Sequence, residues 1–228
     1  MTYLVVITAR GGSKGIPKKN IKLLNGKPLI QYSIDIAKAI ADKTDICFTS
    51  DSDEIIMVAE NLGLNIPFKR PDELATDSSN SQDVILHALD TYENLNNKTY
   101  DAIVLLQPTS PFRTLEQVQD CINLYDKSMD MVVSAKLASA NPYYNLFEEE
   151  NGFLKPSKEG DFTRRQDCPK VWEVNGAIYV INSASLRKQK MKAFSKVKKY
   201  VMSEETSIDI DTPLDWKIAE FHLQNKNL

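Results

Sequence analysis

Thr8-Ala9-Arg10-Gly11-Gly12-Ser13-Lys14-Gly15-Ile16-Pro17-Lys18-Lys19-Asn20 follows directly on the apolar run Tyr3 to Ile7. Its three glycines permit a tight turn and a close backbone approach to a ligand, while Arg10, Lys14, Lys18 and Lys19 crowd positive charge into the same loop. The glycines alone would serve a plain strand-to-helix connection equally well. The cations point to an anion, and a polyphosphate has the complementary charge. The spacing is neither G-x-G-x-x-G nor the Walker A Gly-Lys-Ser/Thr, so dinucleotide and kinase-like readings lose ground.

Outward from this loop the chain repeats one rhythm. Ile30, Ile34, Ala37 and Ala41 recur at helical spacing, so a helix is expected over residues 28–41 with Pro28 at its start. Asp45 to Ser50 reads as a strand, and Ile55, Ile56, Ala59 and Leu62 as a helix closed by Gly63. Leu64 to Phe68, interrupted by Pro67, suits an edge strand, and the polar stretch Arg70 to Ser81 a functional loop. Val84, Ile85, Ala88, Leu89 and Tyr92 define a third helix, and the uniformly apolar Ala102 to Leu106 a central strand buried on both faces. Beyond it lie the polar loop Gln107 to Arg113, a capping box at Thr114 and Gln117, a further helix and the strand Met131 to Ser134.

This β–α alternation predicts a three-layer α/β/α fold around a mostly parallel sheet, with ligands at the strand carboxyl ends. The basic loop and the Gln107 loop then share one edge. Residues 139–181 break the rhythm. They are rich in polar residues and prolines, and Tyr143, Tyr144, Phe147, Phe153 and Phe162 suit a lid, an arm or a dimer contact. The segment is read as a small inserted subdomain ending in the strand Trp172 to Ile181, with residues 1–138 and 182–228 forming the catalytic core. Ser183 is expected to cap a short helix, and Tyr200 to Met202 to rejoin the sheet.

Ile208-Asp209-Ile210-Asp211 gives the second chemical signal. As a strand it would present both carboxylates on one face and both isoleucines on the other. Two adjacent anions want a cation, and Mg²⁺ is commonly held by one or two carboxylates together with substrate phosphates. Thr212 should cap a helix from Pro213, with Leu214, Ile218 and Phe221 on its buried side.

Composition limits the alternatives. The chain has 228 residues, 42% of them hydrophobic, and a net charge of only -3, so its basic loop is local and a nucleic-acid partner is not expected. Cys47, Cys121 and Cys168 make no C-x-x-C pair and are odd in number, which argues for a reducing compartment over a disulfide framework or zinc site. No leader or membrane-length apolar run is evident, so the expected location is cytoplasmic with no membrane partner. His87 and His222 lack any nucleophile signature and read as structural.

The motifs Ala-Arg-Gly-Gly-Ser-Lys-Gly-Ile-Pro-Lys-Lys-Asn, Leu-Gln-Pro-Thr-Ser-Pro-Phe-Arg, Asn175-Gly176-Ala177-Ile178-Tyr179 and Asp209-Ile210-Asp211-Thr212-Pro213, in that order, resemble the acylneuraminate cytidylyltransferases across nearly the whole chain. The resemblance implies a nucleotide-diphospho-sugar transferase-like fold. It also implies transfer of CMP from CTP to the anomeric hydroxyl of a nonulosonic acid, a sialic-type sugar, with release of pyrophosphate. Arg10, Gly11, Gly12, Ser13, Lys14 and Lys19 match positions around the triphosphate, with Arg10, Lys19 and Asp211 as the catalytic set. Asn20, Arg70, Ser79 and Ser81 match the base and ribose site; Gln107, Arg165, Asn175 and Tyr179 match the sugar site. Arg164 adjoins Arg165, so either could meet the sugar carboxylate. Asp209 and Asp211 match ligands of Mg²⁺. The insertion matches a dimerisation element that reaches into the partner's site, so a homodimer is expected. A metal-dependent Asp-x-Asp glycosyltransferase, a 3-deoxy-octulosonate cytidylyltransferase and a non-catalytic nucleotide-binding regulator are the competing readings.

Overall fold

The computed structural model of the chain describes residues 1–76 and 79–225. Ten strands and six α-helices lie along these residues. They begin with β1 (Tyr3–Thr8), the hairpin β2 (Leu23–Leu24) and β3 (Lys27–Pro28), α1 (Leu29–Ile40), β4 (Ile46–Thr49), α2 (Asp53–Asn61) and α3 (Ser81–Asn96). Next come β5 (Ala102–Leu106), α4 (Leu115–Leu124), β6 (Met131–Leu137), β7 (Phe147–Glu150) and β8 (Phe153–Pro156). The chain closes with β9 (Trp172–Asn182), α5 (Ser183–Lys188), β10 (Val197–Val201) and α6 (Pro213–Gln224).

The main sheet has the order β10-β6-β9-β5-β1-β4. Its strands are mutually parallel except β9, which runs antiparallel between β5 and β6. Period-two alternation sorts each strand onto two cores. Val5, Ile7, Val104 and Leu106 face α1, α2 and α4, while Leu4, Val6, Ile103 and Leu105 face α3 and α5. β5 is buried at every position, as a central strand covered on both faces must be. The three layers and the mostly parallel sheet are those the sequence predicts.

Several local expectations differ. Leu64 to Phe68 is no strand; Pro67 removes a donor, and the segment is tied to the end of β4 through Arg70 N–H on Ser50 O at 2.8 Å. Asn182, not Ser183, caps α5, accepting from Ser185 N–H at 2.9 Å. Residues 172–181, placed in the insertion by the sequence, belong to β9 of the main sheet, so the excursion covers 139–171 and contains the β7–β8 hairpin. On α6 the buried residues are Trp216 and Ala219, whereas Leu214 and Phe221 are 65% and 68% exposed. The helix packs on the β2–β3 hairpin and α1 through the opposite stripe from the one expected.

Candidate active site

All five parallel strands point their carboxyl ends to one edge, and the chemical residues gather there. The glycine-rich loop leaves β1 and is pinned from beneath: Gly11 N–H donates to Asp51 Oδ1 at 3.0 Å, and Asn20 Nδ2 to Arg10 O at 2.9 Å. Lys18 sits at φ 52, an uncommon conformation for a residue with a side chain, and it turns Lys19 inward. Lys19 is buried, donating to Ile210 O at 2.7 Å and Asp211 Oδ1 at 2.9 Å. A Cβ on Gly15 would run into the Asp211 carbonyl oxygen, so that glycine allows loop and aspartate arm to touch.

The arm itself is not a strand. Residues 208–211 lie outside the sheet because they cross its edge, with Ile210 N–H donating to Thr109 O at 2.8 Å in the loop after β5. The alternation survives without the sheet: Ile210 is buried with Phe112 and Trp216, while Asp209 is half-buried and Asp211 exposed. Burial first, and then the charge of Asp211, raise the Asp209 carboxyl above the ordinary range, against hydrogen bonds from Thr109 and Ser110 that favour its anion. Among the described residues no cluster of three or more His, Cys, Asp and Glu could hold a metal. Two hard carboxylates beside a cationic loop fit a cation that takes its remaining ligands from water and phosphate.

A cavity of about 560 Å³ opens between these pieces. Its walls include Arg10, Ser13, Lys14, Lys19, Asn20, Arg70, Ser79, Ser81, Gln107 and Asp211. Arg70 is buried and donates to Thr49 O at 2.6 Å and Thr49 Oγ1 at 3.2 Å. The Ser79 hydroxyl ties its own loop, donating to Glu73 O at 2.9 Å. Arg113 anchors the Gln107 loop from below: it is 3% exposed and donates to Gln107 O, Ser110 O and Ser33 Oγ.

Comparison with known proteins places this geometry. The family model described as cytidylyltransferase matches residues 4–225. The chain belongs to the cytidylyltransferase family. A Campylobacter jejuni protein named CMP-N,N′-diacetyllegionaminic acid synthase is 35% identical over 99% of this cytidylyltransferase and 96% of its own length. The N-acylneuraminate cytidylyltransferase of Streptococcus agalactiae serotype V is 33% identical over 98% of the chain, which spans 54% of that longer protein. A solved CMP:2-keto-3-deoxy-manno-octonic acid synthetase complexed with CTP shares the fold at a TM-score of 0.71, covering 100% of both chains at 16% identity.

The sugar-site residues expected in this cytidylyltransferase are dispersed. Tyr179 lies on β9, its hydroxyl pKa raised by burial and then by the charge of Asp209. Arg165 is exposed on the 139–171 excursion; its neighbour Arg164 is bound bidentately to Asp167, both contacts at 2.9 Å. Asn175 is buried with its amide engaged inside the fold. Gly11, Gly12 and Asp209 are not among the residues that line the cavity. Sequence reasoning missed Thr109, Ser110 and Gly176 around Asp209, and Asp51 and Arg113 beneath the loops. The Asn-Gly step at residues 175–176 inside an apolar strand was the available signal for a break in the ladder there.

Proposed function

We propose that the chain transfers CMP from CTP to the anomeric hydroxyl of a nonulosonic acid, releasing pyrophosphate, with Mg²⁺ held by Asp209 and Asp211. The observation that carries this reading is the meeting of the cationic loop and the aspartate arm across Lys19 at one wall of the cavity. The sugar oxygen forms a bond to the α-phosphorus and its hydroxyl proton passes to solvent, as the bond from that phosphorus to the bridging oxygen breaks and negative charge moves onto the departing pyrophosphate. Arg10, Ser13, Lys14 and Lys19 are set to hold that charge, and fixed donors stabilise it without reorganising. When bound, the metal supplies Lewis acidity to phosphate oxygens.

Arg70, Asn20, Ser79 and Ser81 are assigned to the nucleoside end. Arg70 is held in place by Thr49, so its role there is to present a fixed edge, a requirement for hydrogen-bond discrimination between bases. Gln107 and Tyr179 are assigned to the sugar. Arg165 is assigned to the sugar carboxylate, because Arg164 is already paired with Asp167. Arg165 stands on the excursion, and we assign it to the site of a second copy in a homodimer. The reaction is placed in the cytoplasm, where reduced thiols such as the three free cysteines persist. Among the described residues no helix is long and apolar enough to cross a membrane.

The experiment is pyrophosphate release from CTP and Mg²⁺ with a panel of nonulosonic acids and deoxy-octulosonate, with Asp211→Ala as control. N,N′-diacetyllegionaminic acid leads the panel, because the relative matched over 96% of its own length bears that sugar in its name. Release with one nine-carbon acid, lost in the control, supports the proposal. Release with deoxy-octulosonate alone, or with none of the acids, contradicts it.

A further inference from the structure

β9 does not run evenly past β6. Val133 lies opposite Tyr179 and Ala135 opposite Val174, so residues 175–178 of β9 face Ser134 alone. This is a bulge at the carboxyl edge of the sheet, where such features re-aim the chain at a site. Gly176 takes φ +74 within it, and a Cβ there would stand 3.4 Å from Gln107 Oε1, 3.5 Å from Ser110 Oγ and 3.8 Å from Asp209 Oδ2. The bulge therefore sets the floor on which Gln107, Ser110 and Asp209 converge.

One side chain holds the bulge to its surroundings. Asn175 is 5% exposed. Its Oδ1 accepts from Ser134 Oγ at 2.6 Å and Ala177 N–H at 3.2 Å, and its Nδ2 donates to Ser207 Oγ at 2.8 Å and Met202 Sδ at 3.4 Å. Both acceptor positions and both N–H groups of the amide are thus used. Ser134 Oγ in turn accepts from Ile178 N–H at 2.8 Å, and Ser207 Oγ donates to Ser203 O at 2.6 Å. Ser207 precedes Asp209 by two residues on an arm outside the sheet. Ser110 Oγ closes a second path, standing 3.4 Å from both Asn175 O and Asp209 Oδ1.

We propose that Asn175 is a positioning residue for the Asp209 carboxylate, acting through Ser207 and the bulge, and that it does not touch the sugar. The inference rests on the reading of Asp209 as a metal ligand. An arm with no strand partners needs side-chain ties to present its carboxylate at one place. The Asn175–Ser207 bond supplies one from the sheet, and the bonds from Ile210 to Thr109 and from Lys19 to Ile210 supply the others. Residues that orient a ligand from behind tune metal affinity without contacting the metal.

The test is calorimetric titration of Mn²⁺–CTP, without sugar, into the intact wild type, Ser207→Ala, Ser134→Ala and Asn175→Ala, with CTP in chelator as reference and sugar KM measured separately. The expected result for Ser207→Ala and Asn175→Ala is Mn²⁺–CTP binding weakened on the order of tenfold, with metal-free CTP binding unchanged and sugar KM within about twofold. Ser207→Ala leaves the bulge bonds to Ser134 intact and decides alone if Asn175→Ala does not fold. Wild-type Mn²⁺–CTP affinity in folded Ser207→Ala overturns the proposal, as does a raised sugar KM with unchanged metal–nucleotide affinity in Asn175→Ala. Failure of the sugar assignment is distinguishable: the wild type then turns over no acid in the panel while the binding series keeps its order.

Discussion

Asp209 is the residue at which its proposed role as a metal ligand opposes stability. Its carboxylate is desolvated, lies near the like charge of Asp211, and is compensated by hydrogen bonds from Thr109 and Ser110 and by the charge of Lys19. A half-buried anion held this way costs the fold free energy that a cation would return. Asp209→Asn should therefore melt at a higher temperature than the wild type in chelator at neutral pH, and should have lost turnover. A lower midpoint for the variant under those conditions would show that the carboxylate is stabilising without metal. Arg113 is the opposite case. Burial pulls its pKa down to about 9, still charged at neutral pH, and two carbonyl oxygens and the Ser33 hydroxyl, rather than a carboxylate, receive its donors. It serves the Gln107 loop by satisfying two of that loop's carbonyls, not by meeting a ligand.

At the scale of elements, Asp130 ties the start of β6 to two neighbouring segments. It accepts from Ser185 Oγ at 2.7 Å, Lys196 N–H at 2.9 Å and Ser195 N–H at 3.0 Å, and the Ser185 bond leads the causes that lower its pKa. A depressed carboxyl pKa contributes stability above the unfolded value, about 3.9, and loses it as pH falls through the folded value. Asp130→Asn should thus lower stability at neutral pH and flatten the acid slope below about pH 4 in denaturant titrations. Parallel slopes for variant and wild type would refute the role. The same scale shows what the sequence makes legible. β1, β4, β5 and α1 to α4 follow from apolar period and caps, since Thr114 and Gln117 form the capping box that their spacing announces. The α6 stripe misleads because Leu214, Ile218 and Phe221 match a helical period as well as Trp216 and Ala219 do. Amphipathicity names a stripe, and only tertiary contact chooses between two. The Asp209 arm has a strand's alternation and no partner, because an edge crossing over Thr109 leaves no local mark in the sequence. The loop cations and both aspartates were readable from charge pattern; Ser110, Ser207 and Gly176 were not, because their roles depend on a register shift between distant strands.

For the whole molecule, the 139–171 excursion is the part its own core does not use. In the β7–β8 hairpin Phe153 and Leu154 are 75% and 71% exposed, and every residue of both strands is exposed. Exposed apolar side chains concentrated on one arm mark an interaction surface. If this arm covers a second copy and carries Arg165 to its site, the double change Phe153→Ser and Leu154→Ser should shift the sedimenting species from dimer to monomer and raise the sugar KM. A fully active wild-type monomer would contradict both parts. One chain's cavity is lined by Arg10, Lys14, Lys19, Arg70 and Gln107, with Arg165 outside its walls.

In the proposed function, the loop and the aspartate arm form one centre for nucleotidyl transfer. ³¹P NMR of a single mixture of protein, CTP, Mg²⁺ and N,N′-diacetyllegionaminic acid tests it most directly. The expected result is a phosphodiester resonance and pyrophosphate growing in step as CTP declines, with neither signal in Asp211→Ala. Conversion of CTP to CDP and phosphate, or the phosphodiester forming unchanged in Asp211→Ala, would contradict it.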